Sequence, residues 1–479
     1  MKLTQIINKI DCKVIGIKTR NITHLTHVAQ DCKKHSIYFC LNGKTNNGVQ
    51  WIKTAIENGC KIIVCENSVT TEKNITQIIV KDARKAMSEI ASIFYNNAAS
   101  KLKIIGVTGT NGKTTTTHII SHLLKAKYNV GLIGTNGVFY NGQVYQTGFT
   151  TPDPIMLHKI FADMLKSGVQ YVVMEYSAHA IYLQKLWGIT SDIVAFTNLS
   201  QDHLDYFENM DSYFNAKLKL FEKNDYNHAV ICIDDKYGKQ ISKVAKNVIT
   251  CATNNKDANI FILNSTHTTT SQTFDVLINN KKHSLSAYLL GKFNLQNILV
   301  ALSVCLKCGL SIEEITKQLQ TLKGVDGRFE CYSNSTNTVI IDYAHTPDGL
   351  ENVLKTATEL AQKNRVICVF GCGGNRDVEK RPLMGAVAQK CADFSFITTD
   401  NPRFEDNFEI AQEIACGFTK NKYKIVLDRG QAFREALDMC RDGDVIVLAG
   451  KGAETYTEIN GTKVYSSDKE LVKKVLNIL

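Results

Sequence analysis

A chain of 479 residues is too long for one hydrophobic core and predicts about three domains. Its 44% hydrophobic content, with charged residues mixed throughout, is ordinary soluble-globular composition. The formal charge of +10 does not point to nucleic acid, because Asp and Glu are interspersed among the lysines; anionic small substrates or a solvated basic surface fit better.

From the N-terminus, MKLTQIINKI lacks a continuous apolar stretch of signal-peptide length. No run approaches the roughly 18 residues that span a bilayer. A cytoplasmic location, without membrane insertion, is the expectation. Residues 1–100 read as a small α/β unit: the strand SIYFCL (36–41), a Gly/Asn-rich turn, a helix around 50–58, the strand KIIVC and a helix from about 82 to 97.

The segment IIGVTGTNGKTTTTH (104–118) then joins a buried strand to a helix through a glycine-rich turn ending in Gly112-Lys113-Thr114. Such a turn holds nucleotide phosphates. Exposed backbone N–H groups and the positive helix end face the phosphate oxygens, Lys113 adds a point charge, and the Thr114 hydroxyl can ligate Mg²⁺. The general phosphate-loop pattern has a glycine where Val107 stands, and here the glycines fall at 106 and 109 instead. A chance GKT in a loop is the plain alternative, and the flanking strand and amphipathic helix weigh against it.

From 104 to about 330, the strands YVVMEYS (171–177), DIVAFTNL (192–199) and HAVICI (228–233) alternate with helices, the pattern of a mostly parallel sheet. Glu175, Ser177 and His179 fall at alternate positions past YVVM and so start on one side of the chain. The next strand end delivers Ser200, Asp202, His203 and Asp205. A carboxylate and an imidazole beside a phosphate loop suit Mg²⁺ bound to ATP, although solvated strand-end groups are the commoner reading of such residues alone. In the helix DSYFNAKLKLFEK, Phe214, Leu218 and Phe221 share a face, Lys217 lies beside it and Lys219 points away. Desolvation would leave more of Lys217 as neutral amine, able to add CO₂ as a carbamate; a snorkelling lysine is the bland alternative. The polar stretch 252–285 reads as a β-rich excursion, and Cys305 and Cys308 lie in an apolar helix as packing cysteines.

A third α/β block after Arg328 carries TVIIDYA (338–344), VICVFGC (366–372), FSFITTD (394–400), KIVLD (424–428) and VIVLAG (445–450). Polar motifs cluster just past these strands' C-terminal ends, where open α/β sheets bind ligands. The fifteen scattered cysteines fit reduced thiols better than a disulfide framework.

TGTNGKTT resembles the Mur ligase family of ATP-dependent amide-bond formers, and the resemblance extends from about residue 36 to the end. MEYSAHAI (174–181) and TNLSQDHLDYFE (197–208) are similar to the family's MEVSSHAL and TNLSxDHLDYHG. The resemblance implies that Glu175, His203 and Thr114 hold the metal together with Lys217 as N6-carboxylysine, making Lys113, Lys217, His203 and Glu175 the catalytic set. It implies an ATP site of Gly109, Thr110, Asn111, Gly112, Lys113, Thr114 and Thr115, with Asn294 and Asn297 of LGKFNLQNILVAL at the adenine. Arg328 of VDGRFE is implied at the phosphates, and Asp342 and His345 of DYAHTPDGL at and near the ribose.

GCGGNRDVEKRP (371–382), DNPRFED (400–406) and AGKGAETY (449–456) resemble the segments that hold diaminopimelate in the family's diaminopimelate-adding members. That implies a pocket of Arg376, Asp400, Asn401, Pro402, Arg403, Gly450 and Glu454. Arg403 would fork onto the distal carboxylate that lysine lacks. Thr150 and Thr151 of FTTPDP, with Ser177 and Lys185, are implied contacts of UDP-MurNAc-dipeptide.

Several positions depart from the family pattern. The uracil motif DSRxVxxGxLF aligns at Val28-Ala29-Gln30 and is absent, Ala178 replaces a serine, Lys185 an arginine, Asp326 a proline and Ala453 a histidine. The implied protein is a monomeric three-domain α/β enzyme. Its N-terminal UDP-sugar domain spans 1–100. A central ATP domain with a phosphate-loop parallel sheet spans 101–330, and a Rossmann-like amino-acid domain spans 331–479. It would use ATP and Mg²⁺ on small-molecule substrates, and closure would align them. A lysine-adding or folate-polyglutamating sister ligase and a degenerate nucleotide-binding scaffold stand as alternatives.

Overall fold

The structure, a computed structural model, describes the chain apart from residues 44–46, 334–336 and 477–479. Part of the Gly/Asn-rich turn after SIYFCL therefore lies outside the described residues. The described chain is α/β throughout and divides into two compact units. One comprises Met1–Gly106, Tyr128–Val194 and Lys219–His228; the other comprises Val107–Lys127, Ala195–Leu218 and Ala229–Leu479.

Within the first unit, a five-stranded sheet runs in the order Lys13–Ile15, Thr76–Ile79, Ile62–Cys65, Ser36–Phe39, His24–Thr26. Only its first pair is antiparallel. SIYF and IIVC are apolar on both faces because both faces are covered. Ile37, Phe39, Ile62 and Val64 pack with Met87 and Ile90 of the helix Ala83–Phe94, whereas Tyr38, Cys40, Ile63 and Cys65 pack with Ala55 on the other side. Asp82 caps that helix by accepting from Arg84 N and Lys85 N. Farther along, Val130–Gly134 pairs in parallel with Tyr171–Glu175 through the intervening helix Pro154–Lys166.

The strand predicted over YVVMEYS ends at Glu175, and a short helix, Ala178–Tyr182, replaces the expected alternation of Ser177 and His179. The physical reason is capping: the Ser177 hydroxyl accepts from Ala180 N at 3.2 Å and starts the helix.

Within the second unit, the helix Lys113–Leu124 packs along Lys292–Lys307. Tyr226–Cys232, Val248–Ala252 and Ile260–His267 pair in parallel. The expected β-rich excursion is an antiparallel meander of Ile260–His267, Gln272–Ile278 and Lys281–Ala287. The C-terminal six-stranded sheet runs Glu330–Ser333, Thr338–Asp342, Val445–Ala449, Val366–Phe370, Phe394–Ile397, Tyr423–Ile425, parallel after its first pair. A hairpin, Tyr456–Ile459 with Thr462–Tyr465, follows it. All fifteen cysteines are free.

Candidate active site

The loop 109–112 begins where the strand Lys103–Thr108 ends. Gly109 and Gly112 occupy left-handed backbone, at φ 150° and 83°, with almost no room for a side chain. A Cβ on Gly109 would lie 1.9 Å from Thr197 Oγ1, and one on Gly112 would lie 2.1 Å from Asn297 Oδ1. Glycine is therefore what lets the loop close against its neighbours. Lys113 Nζ donates to Gly109 O at 3.1 Å and to Thr110 O at 2.8 Å. Thr114 and Thr115 are buried in the first helical turn, and Thr114 Oγ1 accepts from Arg328 Nη2 at 2.9 Å. The Arg328 guanidinium also stacks over the Tyr343 ring at 4.4 Å. Asn111 links the loop to two other segments, donating to Ser200 Oγ at 3.1 Å and to Asp348 Oδ2 at 2.8 Å.

Lys217, placed on a buried edge by helical spacing, is only 1% exposed, and Lys219 on the opposite side is exposed. Its Nζ donates to Gly109 O at 2.9 Å, the same carbonyl that Lys113 uses. Burial, then the neighbouring Lys113 charge, holds the Lys217 amine well below the ordinary lysine range. The loop thus sets two lysines on one carbonyl.

Asn294 and Asn297 are buried and bonded to each other at 3.1 Å. Asp342 accepts from Phe329 N and Ala344 N, both at 2.7 Å, and burial, partly offset by Arg328 and these bonds, raises its pKa. His345 turns its Nε2 toward Asp202 at 3.6 Å.

Asp202 is the centre that sequence reasoning undervalued. His203 Nε2 lies 3.3 Å away and Lys380 Nζ, at the start of the helix Lys380–Cys391, 3.7 Å away, so segments from three places in the chain converge on one carboxylate. Burial alone would raise its pKa, but His203, His345 and Lys380 hold it well below the usual carboxylate range. Asp202 was visible in the motif; nothing local marks Lys380 as its partner.

The amino-acid segments gather at the C-terminal ends of the six-stranded sheet. Asn401 Nδ2 donates to Asp400 Oδ1 at 3.0 Å and to Glu454 Oε2 at 2.9 Å, and Tyr343 OH donates to Glu454 Oε1 at 3.3 Å. Burial, then the nearby Asp400 charge, raises the Glu454 pKa. Gly450 N donates to Asp342 O at 3.0 Å, joining this pocket to DYAH. Pro402 is buried between Asn401 and Arg403. Arg376, by contrast, is exposed and stands near Asp205. Beneath the loop, Arg381 is only 1% exposed and pairs with Glu405 at 2.8 Å and Glu413 at 2.6 Å.

In the other unit, Thr150, Thr151, Ser177 and Lys185 come together around Glu175. Thr135 bridges them, bonding to Thr150 Oγ1 at 3.0 Å and donating its N–H to Glu175 Oε1 at 2.8 Å. Thr151 Oγ1 donates to Glu175 O at 2.7 Å, and Ser177 N donates to Thr151 Oγ1 at 3.1 Å. Lys185 Nζ donates to Thr151 O at 3.2 Å, with burial pulling its pKa down. Where the uracil motif would align, the chain keeps a 3₁₀ turn, Ala29–Asp31, with His35 in left-handed backbone at φ 68°.

Residues 107–305 match the model of the Mur ligase middle domain, and residues 327–452 match that of the Mur ligase glutamate ligase domain. The chain is 39% identical over 485 residues, 100% of both chains, to UDP-N-acetylmuramoyl-L-alanyl-D-glutamate–2,6-diaminopimelate ligase 1 of Clostridium acetobutylicum. It is also 39% identical to the corresponding ligase of Aquifex aeolicus, over 95% of this chain and 94% of the relative. A solved structure of such a ligase superposes with a TM-score of 0.71 at 27% identity, covering 100% and 99% of the two chains. An ADP complex of MurF ligase from Thermotoga maritima shares the fold, with a TM-score of 0.65 at 18% identity over 89% and 93%.

Proposed function

Because the chain belongs to the Mur ligase family, we propose that it uses ATP to join meso-diaminopimelate to the D-Glu of UDP-MurNAc-L-Ala-D-Glu. The observation that carries the choice of amino acid is the cluster of Asn401, Arg403 and Glu454. It offers a guanidinium and a carboxylate to an amino acid that has both charges at each end.

The D-Glu side-chain carboxylate attacks the ATP γ-phosphorus, the bond to ADP breaks, and an acyl phosphate forms. The diaminopimelate amine, losing a proton, then adds to the acyl carbon, and the tetrahedral intermediate expels phosphate. The loop N–H groups, Lys113 and Arg328 bind the phosphates and stabilise the charge that develops there. Asn294 and Asn297 take the adenine, and Asp342 and His345 lie toward the ribose. Thr150, Thr151, Ser177 and Lys185 anchor the nucleotide-sugar peptide. Asp400, Pro402, Gly450 and Arg376 complete the amino-acid site.

Mg²⁺ fits the donor chemistry. A hard cation of this kind takes oxygen ligands and keeps phosphate oxygens and waters among them, and the Thr114 hydroxyl in the first turn after the loop is an oxygen donor of that class. Thr114, Glu175, His203 and Lys217 as its carbamate would hold it, and the low Lys217 pKa supports the free amine that carbamylation requires. When bound, the ion neutralises phosphate charge.

The same reading divides the chain into domains at 1–100, 101–330 and 331–479 and makes it a cytoplasmic monomer. No helix among the described residues is long and apolar enough to cross a membrane. Phosphate release with UDP-MurNAc-L-Ala-D-Glu and each of diaminopimelate, lysine and ornithine tests the assignment. Release with lysine rather than diaminopimelate would reject it.

A further inference from the structure

We propose that Glu458 positions Arg403 and is thereby a second determinant of amino-acid choice, a proposal that rests on the diaminopimelate reading above. Arg403 sits at φ 54°, left-handed backbone that a long side chain keeps only where its surroundings hold it. The C-terminal hairpin does the holding. Arg403 N donates to Glu458 O at 2.9 Å, Asn460 N donates to Arg403 O at 2.7 Å, and Arg403 bridges to Ile459.

The guanidinium is gripped as well. Nε donates to Glu458 Oε2 at 3.1 Å and Nη1 donates to Gly374 O at 2.7 Å, while no described residue accepts from Nη2. A Cβ at residue 373 would lie 2.9 Å from Nη1, so the bare Gly373 backbone is what lets the group settle there.

With Nε and one Nη1 hydrogen taken by protein oxygens, the guanidinium plane cannot turn about its Cδ–Nε bond. The edge left to a ligand is the one formed by Nη2 and the second Nη1 hydrogen, two parallel donors spaced for a carboxylate. Glu458 also donates its N–H to Asn401 Oδ1 at 2.8 Å, so one hairpin residue sets both Arg403 and the asparagine that reaches Glu454. Losing the Glu458 carboxylate would free the guanidinium to rotate, and the site would lose most of its preference for a distal carboxylate.

The test is steady-state kinetics with diaminopimelate and with lysine for wild type, Glu458→Ala, Glu458→Gln, Arg403→Ala and the Arg403→Ala/Glu458→Ala double variant. Glu458→Ala should raise the KM for diaminopimelate about tenfold with kcat within about twofold, and should leave lysine use little changed. Glu458→Gln, whose amide oxygen still accepts from Nε, should recover most of that loss. In the Arg403→Ala background, Glu458→Ala should add nothing.

An unchanged KM in Glu458→Ala overturns the proposal, as does an equal fall in kcat for both amino acids that glutamine does not rescue. Should Glu458→Ala fail to fold, Glu458→Asp keeps the charge but draws it back from Nε. It should raise KM a few-fold, and a wild-type value overturns the proposal equally. If Arg403→Ala leaves the ratio of the two amino acids unchanged, the diaminopimelate reading itself has failed; if only the Glu458 variants are inert, the reading stands and Glu458 drops out.

Discussion

Lys113 reaches Gly109 O and Thr110 O, four and three residues back in the chain, whereas Asn401 reaches Glu454 across 53 residues and Arg403 reaches Glu458 across 55. The phosphate loop is a backbone device that one short segment can build, because its ligand needs N–H groups, a helix end and a charge. The proposed amino-acid pocket would have to match a shape with charges at both ends, and its candidate side chains come from three strand ends and a hairpin. Geometry in the first is set locally, and in the second by packing.

The largest expected effect lies in the local device. Lys113→Ala should reduce turnover more than about a hundredfold by removing a charge that stabilises the transferring phosphoryl group. Near-normal product formation would mean that the loop does not hold ATP. Lys217→Ala should be close in size, since its carbamate would help hold the metal, but short carboxylic acids should partly rescue it by replacing that anion. Rescue of Lys219→Ala instead would contradict the burial that separates the two lysines.

In the long-range pocket, Arg403→Ala should cut diaminopimelate use by about 10- to 100-fold while changing lysine use little. The ratio of kcat/KM for the two amino acids measures this, and an unchanged ratio would show that the pocket does not read the distal carboxylate.

The smallest effect concerns Asp202, where the two kinds of region meet, and it is one of stability. Asp202→Asn should lower unfolding free energy at pH 7 by about 1–3 kcal/mol, since it leaves buried Lys380 without its carboxylate. The folded-state pKa of Asp202 lies below its unfolded value, so this contribution is complete above about pH 4 and is lost as pH falls through the folded value. Denaturant unfolding of wild type and variant should therefore converge in acid. A gap that persists unchanged to pH 2 would refute the ion cluster.

Much of the site was legible because its parts are local. The glycines of TGTNGKTT, the strand-end position of Glu175, and the helical spacing that separates Lys217 from Lys219 each depend on neighbours within about one turn or one strand. The missed features have other causes. Ser177 reads as one more strand residue until its hydroxyl is seen capping a helix. The hairpin that holds Arg403 carried a usable signal, Asn460-Gly461 between YTEI and TKVY, with both turn residues in left-handed backbone at φ 49° and 76°.

By itself the sequence determined the α/β alternation, the glycine-rich turn from strand to helix and the family resemblance, and it named the candidate polar groups. Periodicity and turn chemistry act over a few residues, and the order of motifs is written in one dimension. The tertiary structure decided which groups meet: Lys217 on the carbonyl that Lys113 uses, Asp202 among His203, His345 and Lys380, and Arg403 against Glu458. Those pairings join residues as many as 178 positions apart, as with Asp202 and Lys380. Only the order of strands in a sheet and the packing of loops at its end bring such groups within bonding distance, and no local spacing encodes either.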